Sequence, residues 1–261
     1  MTKKLLCDTH AHLSDKAYDD DRMDIAKEAL EEMAFIIDVG TNRRTWGKAR
    51  SLAEQFDNVF CTVGWHPHDA KDSSADKVKE ELAQAWSDKV VALGEIGLDY
   101  HYDFSPRKEQ QDLFAAQLDY AAERKIPTVI HIREAWDDAL AIMKKADLSA
   151  GGVVHCFTGS LENARASLEL GLHISFTGVI TFPKSKELRE VVKETPLDKM
   201  FFETDCPYLS PPPFRGKRNH PLYVRHIVEG VAEELSLSYE ELLEKTTANA
   251  IKFFRLQGRL Q

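Results

Sequence analysis

Short apolar runs rich in Val, Ile and Phe recur along the chain, with stretches of helical period between them. The runs lie at 5–7, 35–39, 59–63, 90–93, 127–132, 152–156, 173–176 and 199–203, so eight strands are predicted. Helices are expected near 18–33, 43–56, 76–86, 106–125, 134–145, 160–170, 184–194, 221–235 and 239–256. In the fourth of these, Ser105 suits an N-cap and Pro106 the first helical position, while Phe114, Leu118 and Ala121 recur at i, i+4 and i+7. The last helix offers Leu242, Leu243, Ala250, Phe253 and Phe254 for packing. Nearly continuous apolar strands alternating with helices imply a parallel sheet covered on both sides. Eight such units predict an α/β fold of the (β/α)8 TIM-barrel form, with a doubly wound open sheet as the alternative.

Length changes this picture little, since 261 residues suit one barrel domain spanning 1–261. Hydrophobic residues at 43% and charged residues at 30% permit a large core and exclude wholesale disorder. The apolar stretch after Met1 is too short for a signal peptide and no run reaches about 18 residues, so a cytoplasmic protein away from the membrane is expected. Cys7, Cys61, Cys156 and Cys206 form no C-x-x-C pair, which argues against a disulfide framework or a thiolate zinc site. They read as packing residues, with Cys156 and Cys206 facing away from any metal. The net charge of −9 repels polyanions at long range. A nucleic-acid partner would have to be held by local cations or bound metal.

The chemistry is carried by position. Asp8, His10 and His12 follow the first strand, His66 and His68 the third, Glu95 the fourth, His131 and Arg133 the fifth, His155 the sixth, and Glu203 and Asp205 the eighth. In a parallel barrel these ends share one face, where barrel enzymes place their active sites. In His10-x-His12 the two side chains point the same way, so both can reach one ion. His10, His12, Glu95, His131, His155 and Asp205 are too many ligands for one tetrahedral ion and suit two divalent ions that share a carboxylate. Glu95 is the expected bridge, and Asp205 the group that orients a water and takes its proton.

Arg133 has two readings, a contact to an anionic substrate or a strand-end ion pair. His66 is placed to hydrogen-bond a phosphate; His68 lies on the same side, with loop ordering as its other reading. Arg215, Lys217 and Arg218 around Gly216 form a candidate anion clamp, against the reading of a solvated loop. Asp99-Tyr100 reads equally as a turn or a substrate contact. No ladder of aromatic residues spaced to read successive bases is visible.

These motifs resemble the TatD family of metal-dependent deoxyribonucleases, within the amidohydrolase-like barrel superfamily. The resemblance rests on Asp8-Thr9-His10-Ala11-His12-Leu13, Gly64-Trp65-His66-Pro67-His68, Gly94-Glu95-Ile96-Gly97-Leu98-Asp99-Tyr100 and Pro127-Thr128-Val129-Ile130-His131-Ile132-Arg133. It continues through His155-Cys156-Phe157-Thr158-Gly159, Glu203-Thr204-Asp205-Cys206-Pro207-Tyr208-Leu209, Arg215-Gly216-Lys217-Arg218-Asn219 and Thr247-Ala248-Asn249-Ala250, covering essentially the whole chain. Ser14 departs from it, standing where an acidic residue is common, and Cys206 fills a variable position. The resemblance implies one or two divalent ions on the six ligands above. It also implies cleavage of DNA phosphodiesters, often from the 3′ end, with His66 and Arg133 able to touch phosphate.

Four imidazoles favour Zn or Mn over Mg. The expected partner is DNA, single-stranded or at 3′ ends, with no obligatory protein partner. The same barrel and metal set serve other hydrolyses, so an amidohydrolase or ester hydrolase on a small or aminoacyl substrate is the second reading. The third is a metal-binding partner protein without catalysis.

Overall fold

The computed structural model describes residues 4–261. Eight parallel strands are hydrogen-bonded in chain order: β1 (Leu6–Ala11), β2 (Met33–Gly40), β3 (Val59–Val63), β4 (Val90–Asp99), β5 (Thr128–Arg133), β6 (Gly152–Val154), β7 (His173–Phe176) and β8 (Met200–Phe202). Beyond β8, the Asp205 N–H donates to the His10 carbonyl at 2.9 Å and the His12 N–H to the Cys206 carbonyl at 2.8 Å. This pairing brings the two ends of the sheet together into a nearly closed (β/α)8 barrel, and it does so at the level of the candidate ligands. The predicted alternative, an open doubly wound sheet, is set aside by the consecutive strand order.

Between strands run α1 (Arg22–Glu32), α2 (Arg43–Gln55), α3 (Val78–Ala85), α4 (Arg107–Arg124), α5 (Trp136–Met143), α6 (Leu161–Glu169) and α7 (Lys186–Glu194), followed after β8 by α8 (Val224–Leu235) and α9 (Tyr239–Phe253). Local chemistry sets several starts. Asn42 and Thr45 cap α2 reciprocally, Ser160 and Asn163 do the same for α6, and the Ser238 side chain accepts from the Glu241 N–H at the start of α9. Leu242, Leu243, Ala250, Phe253 and Phe254 are buried as expected, and the last three pack with Phe35, Phe60 and Phe201. No described helix is long and apolar enough to cross a membrane.

Ser105 corrects one expectation. It does not cap α4; its Oγ donates to the His68 carbonyl at 2.7 Å and accepts from the Lys71 N–H at 3.1 Å. Pro106 takes the cap position without a side-chain bond. A fully buried hydroxyl needs partners, and here the turn at 67–72 supplies them in place of the helix end.

Candidate metal centre

β1 carries His10 near its end and His12 just past it, and the two-residue period brings Nε2 of one within 3.1 Å of Nε2 of the other. β4 is longer than predicted and runs on to Asp99, so Glu95 and Asp99 both belong to the strand and share a face with Gly97. Gly97 adopts a φ of +140°, and a Cβ there would lie 1.9 Å from the His131 carbonyl oxygen. Only glycine fits, and the close approach sets β4 against β5 so that Glu95 and His131 meet. His155 and Asp205 follow short strands that end at Val154 and Phe202. Asp205 itself sits in the left-handed region at φ 54°, a conformation that aspartate tolerates better than most residues.

Glu95 lies between two sets of side chains. Its Oε1 is 2.7 Å from His155 Nε2 and 2.8 Å from His131 Nδ1. Its Oε2 is 3.4 Å from His10 Nε2 and 3.6 Å from His12 Nε2. Asp205 Oδ1 completes the second set at 3.2 Å from His12 Nε2. Burial by itself would raise the Glu95 carboxyl, but the adjacent His155 and His66 hold it well below the usual carboxylate range, so it is ionised. All six predicted ligands therefore converge.

The reverse side of each ring shows whether this set fits a cation. His12 Nδ1 faces the Val39 carbonyl at 3.2 Å, His131 Nε2 faces Asp99 Oδ2 at 3.1 Å, and His155 Nδ1 faces Glu203 Oε1 at 3.4 Å. The Val39 carbonyl and Asp99 give the outward nitrogens of His12 and His131 acceptors, so that with an ion bound the nitrogens turned to Glu95 present lone pairs. Without an ion, and against the effect of burial, Asp205 raises the His12 pKa to about 9, Asp99 raises that of His131 and Glu95 raises that of His155, so protons lie between nitrogen and carboxylate where a cation can replace them. The donor set thus fits divalent metal, and three groups, His10–His12–Asp205 and His10–His155–Glu203, which share His10, and His66–Glu95–His131, have the spacing to hold an ion.

His66 behaves differently. Its Nδ1 accepts the His68 N–H at 3.1 Å, and burial pushes its pKa down to about 4, so the neutral ring carries its proton on Nε2. That nitrogen, 3.4 Å from Glu95 Oε1, is a donor turned toward the site and suits a phosphate oxygen. His68 Nε2 bonds Asp99 Oδ2 at 2.9 Å, which gives it an ordering role.

A cavity of about 810 Å³ opens over this cluster. Arg133 lines it and forms no ion pair among the described residues; its guanidinium stands 4.8 Å from the Tyr102 ring centroid. Arg215, Lys217 and Arg218 do not line it. Arg218 reaches Asp21 at 2.9 Å and Arg215 lies 3.5 Å from the Phe182 ring centroid, so these two cations are engaged elsewhere. Of the loop expected to act as an anion clamp, the Arg218 end is thus tied to an acidic partner far away in sequence. Cys206 is buried and faces away as expected, but Cys156 lines the cavity. Burial and then the charge of Asp205 push the Cys156 thiol well above its ordinary range.

Asp99 and Glu203 are the residues that sequence reasoning left unassigned. Asp99 lies two positions beyond Gly97 on the same strand face as Glu95, and Glu203 two before Asp205. That two-residue spacing was the available signal for both.

A barrel with this imidazole and carboxylate set at its strand ends is of the metal-dependent hydrolase class. The chain belongs to the TatD related DNase family, whose profile matches residues 7–255. It is 42% identical over 254 residues to the uncharacterized metal-dependent hydrolase YabD of Bacillus subtilis, covering 97% of this chain and all of that one. It is 35% identical over 256 residues to the 3′-5′ ssDNA/RNA exonuclease TatD of Salmonella typhimurium, covering 95% and 98%. The crystal structure of the TatD homologue YjjV from Escherichia coli matches with a TM-score of 0.88 at 30% identity, over 97% of this chain and 98% of that one.

Proposed function

We propose that this hydrolase is a deoxyribonuclease that shortens DNA from the 3′ end, using two divalent ions held by His10, His12, Glu95, His131, His155 and Asp205. The observation that carries the reading is Glu95, one oxygen of which faces His131 and His155 while the other faces His10 and His12. Zinc or manganese suits four imidazoles better than magnesium does. When bound, the ions supply Lewis acidity and lower the pKa of a water near neutral pH.

The chain's own residues do the rest. Asp205 lies in the cavity wall beside His12, which holds its carboxyl down against the effect of burial, so it is ionised and able to take a proton from the attacking water. The water oxygen forms a bond to phosphorus as its proton passes to Asp205, one P–O bond to sugar breaks, and the departing sugar oxygen takes up a proton from solvent in the open cavity. His66 Nε2–H and the Arg133 guanidinium donate to the phosphate oxygens on which charge accumulates. The Salmonella relative's name supports a nucleic-acid substrate and 3′ polarity.

The test is a time course on end-labelled single-stranded DNA with Mg, Mn or Zn. The parent protein is expected to shorten the strand stepwise from its 3′ end, and Asp205→Asn to slow it by about 10²–10⁴-fold. DNA left intact with every metal would overturn the reading in favour of a small or aminoacyl ester substrate.

A further inference from the structure

Four large hydrophobic side chains are strongly exposed among the described residues: Met23, Tyr102 at 47%, Phe104 at 54% and Tyr208 at 53%. The three aromatic ones gather at the mouth of the metal site. Tyr102 and Tyr208 line its cavity, and Phe104 lies beside Tyr102 with rings nearly parallel, 8° apart, and centroids at 5.2 Å. Tyr208 stands on the other side, its ring 6.5 Å from that of His12.

Aromatic rings open to water at a functional mouth mark a surface that a ligand covers. This one is held firm. Asp99 Oδ1 accepts the N–H groups of His101 at 2.9 Å and Tyr102 at 3.2 Å, and the same carboxylate positions His131 through its other oxygen. The Phe104 ring meets the edge of His68 at a centroid distance of 4.8 Å. The Arg133 guanidinium stands 4.8 Å from the Tyr102 ring centroid and lines the same cavity as the candidate metal ligands.

We infer that Tyr102 with Phe104, and Tyr208 opposite, are base-stacking faces that hold the unpaired end of a single strand across the metal site. The inference rests on the nuclease reading above and narrows it to a strand whose base faces are free. Duplex bases are covered on both faces by their neighbours, whereas every unpaired base offers a face regardless of its identity. Recognition is therefore of bases in general and independent of sequence.

Binding and cleavage are measured separately. Fluorescence anisotropy in the slowed Asp205→Asn background, over times too short for cutting, is read with a single-stranded oligonucleotide, the same strand bearing abasic residues at its three 3′ positions, and a blunt duplex. Tyr102→Leu with Phe104→Leu, and separately Tyr208→Leu, are expected to weaken binding of the base-bearing strand about tenfold. They are expected to leave binding of the abasic strand within about twofold, and the duplex is expected to bind more weakly than the single strand. Equal losses on both single strands, no loss on either, or a duplex bound as tightly as the single strand would overturn the inference. Parent protein that binds in this pattern yet cuts no DNA would overturn the nuclease reading and leave the stacking faces standing; shortening without the base-dependent losses would do the reverse.

Discussion

His131 Nε2 lies 3.1 Å from Asp99 Oδ2, and this contact fixes which ring nitrogen of His131 is free to face Glu95. Burial would raise the Asp99 carboxyl, but hydrogen bonds from His131 and His68 hold it well below the usual carboxylate range. It is thus a permanent anion behind the ring, and it makes the opposite nitrogen a stronger ligand.

Asp99→Asn keeps the shape and removes the charge. Metal affinity is expected to fall about 10–100-fold, with turnover falling alongside it and the thermal unfolding midpoint of the metal-free protein nearly unchanged. Titration with metal, followed calorimetrically, checks this. Parent-like affinity in the variant would remove Asp99 from the role of positioning His131.

Glu95→Ala takes away the carboxylate that faces both imidazole pairs. Activity is expected to drop below detection and the bound metal, measured by elemental analysis after dialysis, to fall by at least one ion per chain. Full metal content in this variant would show that Glu95 is not shared between ions.

His173, at the start of β7 and remote from the metal ligands, stacks on Phe201 with a centroid distance of 4.8 Å. Burial, then the charge of Lys199, pushes its pKa down to about 4. The folded form therefore binds fewer protons than the unfolded one between the ordinary histidine value of about 6.5 and that lower value. Its contribution is complete above about pH 6.5 and is lost as pH falls toward 4. Between pH 7 and 5 the loss is roughly 1–2 kcal/mol, after allowance for the ring's partial exposure. His173→Phe is expected to lose less stability than the parent over that interval in urea unfolding of the metal-free proteins, where the other histidines cancel in the comparison. An identical pH dependence in the two proteins would contradict the depressed pKa.

Much of the centre was legible before the fold was known. Strand side chains alternate with period two, so His10 and His12 were expected to share a face. The ends of parallel barrel strands share one rim, which is enough to gather His131, His155 and Asp205 near Glu95. The surroundings of the loop at 215–218 were hidden for the opposite reason. Nothing local to Arg218 announces Asp21, which lies 197 positions earlier and becomes its partner only in three dimensions. Tyr102, Phe104 and Tyr208 likewise show no spacing that marks a ladder, since two different loops bring Tyr102 and Tyr208 to one cavity and Phe104 beside Tyr102.

By itself the chain determined its eight-fold alternation of strand and helix, the six candidate ligands and the rim on which they stand, because these follow from side-chain period and strand polarity. The tertiary structure alone decided which nitrogen of each imidazole faces inward, that the segment after β8 joins the barrel's two edges at His10 and His12, and which cations remain free at the mouth. Those outcomes depend on contacts between residues distant in sequence, where ångström distances to a carbonyl or carboxylate outweigh any local preference.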